Sequence, residues 1–170
     1  MNLALVGFGK FGKKYYKNIK KNKKFFLKTV FRKNNLNEKR FKKLSKKNLI
    51  QSKINAAIIC TPVKSHFRIA KLFLEKRIPI ILEKPAANNV HEIKELDKLS
   101  KKNSTTVLVN HSDLFNQNLK VIFSKIKLIG KIRLIDVQFG KYSNKYNDKN
   151  FLPCFDWLPH PLAVIIRLFK

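Results

Sequence analysis

The 170-residue sequence predicts an α/β protein: a doubly wound parallel sheet followed by an incomplete α+β second domain. Three observations carry that prediction. Apolar runs of strand length alternate with helix-spaced segments over the first part of the chain. A Gly-x-Gly-x-x-Gly turn, Gly7-Phe8-Gly9-Lys10-Phe11-Gly12, directly follows the first of those runs. Each conspicuous polar or turn motif then falls just past a predicted strand, on the sheet edge where open parallel sheets bind ligands.

Leu3–Val6 reads as the first strand and Phe11 to Lys21 as the first helix. Phe25–Phe31, rich in aromatic and β-branched residues, is the second strand. The charged stretch from Arg32 to Leu49 has Leu36, Phe41 and Leu44 as sparse apolar positions and reads as a loop with a short helix. Ile54–Cys60 is nearly continuously apolar, as expected of a parallel strand buried on both faces. Thr61-Pro62 ends it, and helical spacing follows through Ile69, Leu72 and Phe73 to Glu75. Ile78–Leu82 is the next strand, closed by Glu83-Lys84-Pro85. Asn88 or Asn89 can cap a helix that runs through Val90, Ile93, Leu96 and Leu99 to Lys101. Thr105–Val109 is a fifth strand. This places a dinucleotide-type domain at 1–112 and the start of a second domain at 113–170. In the second domain, Asn118–Ile129 reads as a helix stopped by Gly130, Lys131–Phe139 as a strand, Lys141–Cys154 as polar turns, and Pro161–Phe169 as an apolar helix.

The glycines describe a phosphate cradle. Gly7 would make the turn, Gly9 would let backbone approach a pyrophosphate, and Gly12 would let the helix pack closely on the strand. An acidic residue about 20 positions beyond such glycines normally binds both ribose hydroxyls of NAD. Val30-Phe31-Arg32-Lys33-Asn34 stands there instead, with no acid. Arg32 and Lys33 suit a 2′-phosphate, so NADP(H) is expected over NAD(H).

A net charge of +28 raises a nucleic-acid partner as an alternative. Only six of the 38 basic residues are arginine, however, and Lys, Asn, Ile and Phe, all with A/T-rich codons, are abundant together. Codon drift gives this mixture without a partner, and no arginine–aromatic platform of the kind RNA readers use is visible. No specific nucleic-acid partner is expected. No apolar run approaches the roughly 20 residues needed to span a bilayer, and no charged region followed by an apolar one opens the chain. Cys60 and Cys154 lack metal-ligand spacing, so no metal site is expected and both thiols read as free in a reducing, cytoplasmic setting.

Gly7-Phe8-Gly9-Lys10-Phe11-Gly12, Thr61-Pro62-Val63-Lys64-Ser65-His66, Glu83-Lys84-Pro85 and Asp156-x-x-x-His160 follow one another in an order and spacing that resembles the Gfo/Idh/MocA oxidoreductases. The resemblance implies a Rossmann-type first domain and an NAD(P)-dependent dehydrogenase of sugars, inositols or related polyols. Family members are typically twice as long, so the chain is expected to be a truncated member, with catalysis or bare nucleotide binding as the two outcomes. The second domain commonly forms subunit contacts in relatives, which implies a homo-oligomer.

The resemblance assigns Lys84 a catalytic role. A cation beside the nicotinamide can stabilise alkoxide character on the reacting oxygen, and Pro85 would fix the backbone after it through a cis Lys84–Pro85 bond. Glu83 is open to three roles: orienting Lys84, touching the cofactor ribose, or a surface ion pair. His160 is the best candidate for proton acceptor, since an unperturbed imidazole titrates near physiological pH, and Asp156, four residues earlier, shares its face if that turn is helical. Asp156 would then position a polyol; the alternative for the two is an Asp cap and a buried His beside Trp157. Relatives often carry a polar residue where Ala163 stands. Thr61, Pro62 and His66 belong to the cofactor-side loop, with packing or capping an equal alternative for His66. His111 and Asp113 could face substrate but are not assigned to catalysis, and His91 reads as a surface residue.

Overall fold

Strand β1 (Asn2–Val6) is apolar on both faces. Leu3 and Leu5 pack to one side and Ala4 and Val6 to the other, the two-residue period of a strand. A strand covered in this way belongs inside a sheet with helices on both faces. The computed structural model, which describes residues 1–32, 41–138 and 156–169, places it there. The other strands are β2 (Phe26–Phe31), β3 (Phe41–Lys42), β4 (Ala56–Ile59), β5 (Ile80–Glu83) and β6 (Val107–Asn110). All pair in parallel, in the order β3-β2-β1-β4-β5-β6. The chain works outward from β1 to β3, then returns to β4 and works outward the other way. That reversal puts the C-terminal ends of β1 and β4 at the switch point of the sheet, where a crevice opens.

Helix α1 (Lys10–Lys21) covers one face, where Ile19 meets Leu3, Leu5, Leu27, Val30 and Ile58. The other face takes Leu49 of α2 (Lys46–Gln51), Ile69, Phe73 and Leu74 of α3 (His66–Leu74) and Leu96 of α4 (Val90–Lys102). Phe31 and Phe73, both fully buried, meet edge-to-face at 6.4 Å. Truncating either to alanine would cost about 3–5 kcal/mol. Asn89 is the N-cap of α4: its Oδ1 accepts from the Glu92 N–H at 2.9 Å, while Glu92 Oε2 accepts from the Asn88 N–H at 2.9 Å. Lys71 Nζ and Glu95 Oε1, 2.5 Å apart on the surface, tie α3 to α4.

The chain divides into two units, Met1–Asn110 and His111–Lys170. In the second, a 3₁₀ turn (Ser112–Phe115) precedes α5 (Gln117–Lys125), which tightens into a 3₁₀ turn at Ile126–Ile129 and stops at Gly130. Helix α6 spans Pro159–Leu168. The strand expected at Lys131–Phe139 is a correction: residues 131–138 carry no regular secondary structure. Alternating apolar residues are only half of a strand, because its N–H and C=O groups need a ladder partner. A second correction lies in the charged stretch after Arg32, where β3 is a strand the sequence does not announce. Lys33, Leu36, Phe139, the 141–154 turns and Cys154 lie outside the described residues. Among the described residues no helix is long and apolar enough to cross a membrane.

Candidate functional site

The glycine turn leaves β1 at Gly7, whose φ of +98° is a conformation that side chains disfavour. Its N–H donates to the Phe31 carbonyl at 2.9 Å, fastening the turn to the end of β2. A Cβ at Gly7 would lie 2.7 Å from the Cys60 carbonyl oxygen, so the turn also rests against the end of β4. A Cβ at Gly12 would collide with the Gly7 carbonyl oxygen, which is why the helix can pack so closely over the turn. Gly9 differs from both, because nothing lies within 4 Å of its absent side chain. It is also the N-cap of α1, with no side-chain cap and no acid in the first turn. The helix therefore opens with unsatisfied N–H groups and its positive dipole end facing vacant space, the electrostatics an anion needs. Phe8 packs edge-to-face on Tyr16 at 5.3 Å, whereas Lys10 and Phe11 are exposed.

A cavity of about 890 Å³ occupies the switch point. Val6, Phe31 and Ile69 contribute apolar surface, Gly7–Gly9 form one wall, and Thr61, Pro62 and Ser65 form another. The Ser65 hydroxyl donates to Thr61 Oγ1 at 2.9 Å and to the Pro62 carbonyl at 2.8 Å, which holds the second wall in shape. Among the described residues, four cations line the cavity, Arg32, Lys43, Lys64 and Arg68, and no carboxylate does. The Arg32 N–H donates to the Lys42 carbonyl at 3.0 Å, fixing the end of β2 against β3. Lys43 and Arg68 escape sequence reasoning, since a lysine in so lysine-rich a chain carries little information and Arg68 looks like an ordinary helix-surface residue.

The end of β5 holds a buried polar cluster. Glu83, 8% exposed, accepts from the Tyr15 hydroxyl at 2.6 Å and from Asn110 Nδ2 at 2.7 Å, both at Oε1. Asn110 Nδ2 also donates to the Tyr15 oxygen at 2.7 Å. Glu83 is thus inside the fold and not in a surface ion pair. Burial first, then the hydrogen bond and charge of Glu83, push the Tyr15 hydroxyl far above the usual tyrosine range. Cys60, whose Sγ points at the Val6 and Gly7 carbonyls, is pushed up to about 12 by burial and then by the Glu83 charge. Lys84, half-buried, follows Glu83 and enters a cis bond to Pro85. His66, 1% exposed, bridges the loops after β4 and β5: Nδ1 lies 2.9 Å from the Pro85 carbonyl and Nε2 2.7 Å from the Thr61 carbonyl. Both ring nitrogens are engaged inside the fold, the geometry of a packing residue that holds the tripeptide against the Thr61 loop.

His160 and Asp156 lie in the second unit. Asp156 is exposed, in the helical turn before α6, and the Trp157 and His160 rings lie 6.3 Å apart. The carboxylate found on His160 Nδ1 is that of Asp113, a residue outside the catalytic set drawn from sequence. Among the described residues no cluster of His, Cys, Asp or Glu could hold a metal ion.

Comparison with known proteins places this arrangement. The family model described as an oxidoreductase family with an NAD-binding Rossmann fold, GFO_IDH_MocA, matches residues 1–111. An uncharacterized oxidoreductase of Escherichia coli K12, YgjR, is 27% identical over 109 residues, covering 60% of this chain and 33% of its own. The scyllo-inositol 2-dehydrogenase (NADP(+)) IolU of Bacillus subtilis 168 is 27% identical over 93 residues, covering 55% and 28%. The crystal structure of a probable oxidoreductase, yhhX, superposes with a TM-score of 0.85 at 25% identity over 99% of this chain and 54% of that one. The matched part therefore amounts to a third or less of these curated relatives and about half of that solved structure. On its glycine turn, its parallel sheet and this match, the chain belongs to the Gfo/Idh/MocA oxidoreductase family with an NAD-binding Rossmann fold.

Proposed function

We propose that the chain binds a nicotinamide dinucleotide, NADP(H) in preference to NAD(H), and takes part in hydride transfer at a secondary alcohol of a sugar or polyol. The observation that carries this reading is the cavity at the switch point, which joins an uncapped helix N-terminus to a wall that, among the described residues, holds cations and no carboxylate. The residues fit the group. The open space at Gly9 would admit a pyrophosphate, and Arg32, with Lys43 and Arg68, would neutralise a 2′-phosphate that an acid at the end of β2 would repel. The relative named for NADP(+) and scyllo-inositol supports both the cofactor preference and the polyol class.

When bound, the nicotinamide supplies the carbon that accepts or donates the hydride. The Lys84 ammonium would donate a hydrogen bond to the alcohol oxygen and stabilise the negative charge that builds there as the C–H bond breaks. His160 would accept the hydroxyl proton, so that oxidation of the alcohol to a carbonyl would leave that proton on the imidazole. Asp156 would hold a neighbouring hydroxyl of the polyol.

Fluorescence titration with NADPH and NADH tests the first half. NADPH is expected to bind about tenfold tighter, a difference of about 1.4 kcal/mol. Tighter NADH would overturn the preference, and silence toward both would overturn the reading altogether. A polyol panel with NADP⁺ tests the second half: turnover should appear with wild type and vanish in Lys84→Ala. Binding without turnover would leave a dinucleotide-binding protein and remove the catalytic part.

A further inference from the structure

His160 and Asp113 stand 47 residues apart in sequence and meet in the second unit, with Nδ1 2.5 Å from Oδ2. An ionised carboxylate only accepts, so the contact requires the imidazole to carry a proton on Nδ1. In the neutral ring the basic lone pair then sits on Nε2. Both partners are held by stiff local structure. Asp113 lies in a 3₁₀ turn closed by Leu114 N–H to the His111 carbonyl at 3.1 Å and by Asn116 N–H to the Asp113 carbonyl at 2.9 Å. His160 sits in the first turn of α6 between Pro159 and Pro161, whose rings fix φ on either side. The two side chains are 22% and 37% exposed, so the pair is reachable from solvent and not sealed in a core.

We propose that Asp113 is the positioning residue of His160: it selects the Nδ1–H tautomer and fixes the ring plane, so that Nε2 is the nitrogen presented to a substrate hydroxyl. This rests on the reading of His160 as proton acceptor and gives it a partner the sequence did not assign. Orientation of the imidazole falls to a carboxylate from the segment that follows β6. Without Asp113 the bond that keeps the proton on Nδ1 is lost, and the proton can sit on either nitrogen. Only part of the population would then offer a lone pair in the productive direction. A carboxylate that orients a metal-bound histidine contributes about 10–100-fold to the function it supports, and a loss on that scale is expected here.

The test uses the full chain labelled with ¹⁵N in its imidazoles, with the His160 signals identified by their loss in His160→Gln. In neutral wild-type His160, Nδ1 should give the protonated and Nε2 the unprotonated shift. In Asp113→Ala the two shifts should converge as the tautomers mix. Asp113→Asn, nearly isosteric, guards against a folding defect; its amide can also donate to Nδ1, so the proton should leave Nδ1 for Nε2 in part or whole. Where turnover is measurable, both variants should lose about 10–100-fold in kcat with KM within about twofold. A wild-type ring protonated on Nε2, or a tautomer unchanged in both variants, would overturn the proposal. Absence of turnover in wild type would remove the catalytic reading alone, because the tautomer is read in the protein without substrate and still decides what Asp113 does.

Discussion

Replacing Tyr15 with phenylalanine should destabilise the first unit by about 2 kcal/mol at neutral pH. The hydroxyl lost in that exchange donates to Glu83 at 2.6 Å and accepts from Asn110 at 2.7 Å, and Glu83 is buried. A hydrogen bond to a charged group contributes about 1.5–3 kcal/mol net. The loss should fall toward the lower end, because Asn110 keeps its own bond to Glu83 Oε1 at 2.7 Å and the carboxylate is not orphaned. For a domain of this size that is a drop of about 8 °C in Tm, readable by thermal unfolding followed by circular dichroism. Alkaline pH supplies an internal check. Unfolded Tyr15 titrates near its ordinary 10.0, while burial and Glu83 hold the folded hydroxyl well above it. Above about pH 10 the unfolded state therefore releases a proton that the folded state keeps, and stability falls as pH rises. Phenylalanine has no such proton. The gap between wild type and Tyr15→Phe should be complete from neutral pH up to about 9 and narrow beyond 10. A Tm difference under about 2 °C at pH 7, or a gap that widens at alkaline pH, would refute the cluster as described.

The glycines separate stability from binding. Gly12→Ala should cost about 1–3 kcal/mol, because its Cβ would meet the Gly7 backbone, which cannot yield as a side chain would, and urea unfolding should show it. Gly9→Ala meets nothing within 4 Å and has φ −75°, so stability should hold or rise slightly while NADPH affinity falls; unchanged affinity would mean the phosphates lie elsewhere. Cys60, pushed up to about 12, should resist iodoacetamide at pH 8 in the folded protein and react on unfolding. Glu83→Gln, by removing the second cause of that shift, should speed its labelling, and rapid alkylation of native wild type would contradict the buried-thiol geometry.

What the sequence makes legible here is whatever a run of neighbours can encode. Leu3–Val6, Ala56–Ile59 and Ile80–Leu82 announce buried parallel strands because every residue in them is apolar or small, and Asn89 announces a helix start because its side chain can reach the Glu92 N–H. Strand β3 does not announce itself: Phe41 and Lys42 are a strand only because Val30 and Phe31 offer a ladder edge beside them. The alternation at Lys131–Phe139 errs in the opposite direction, as a local pattern with no ladder beside residues 131–138. The same limit applies to chemistry. Glu83 and Lys84 stand out as a tripeptide with Pro85, whereas Tyr15 and Asn110, which hold Glu83, lie 68 and 27 residues from it and bear no local signature. Asp113 was visible as an acid after a strand, but its pairing with a histidine 47 residues on is a tertiary fact.

Those non-local contacts give α1 a double part in the site. Its first turn, uncapped at Gly9 and seated on Gly7 through Gly12, faces the space where phosphates would bind. Its second turn carries Tyr15, whose hydroxyl holds the carboxylate next to Lys84. A helix is stiff over so short a distance, so a shift of the glycine turn cannot leave Glu83 untouched, and a change at Glu83 strains the seat of the turn. Cys60 closes the loop from the sheet side, with its thiol on the Val6 and Gly7 carbonyls and its carbonyl under Gly7. The phosphate cradle and the lysine tripeptide are therefore one mechanical unit built on β1, β4 and β5, and Glu83→Gln should weaken NADPH binding even though its side chain is turned inward to Tyr15 and Asn110. Full NADPH affinity in that variant would show the first and second turns of α1 to be independent.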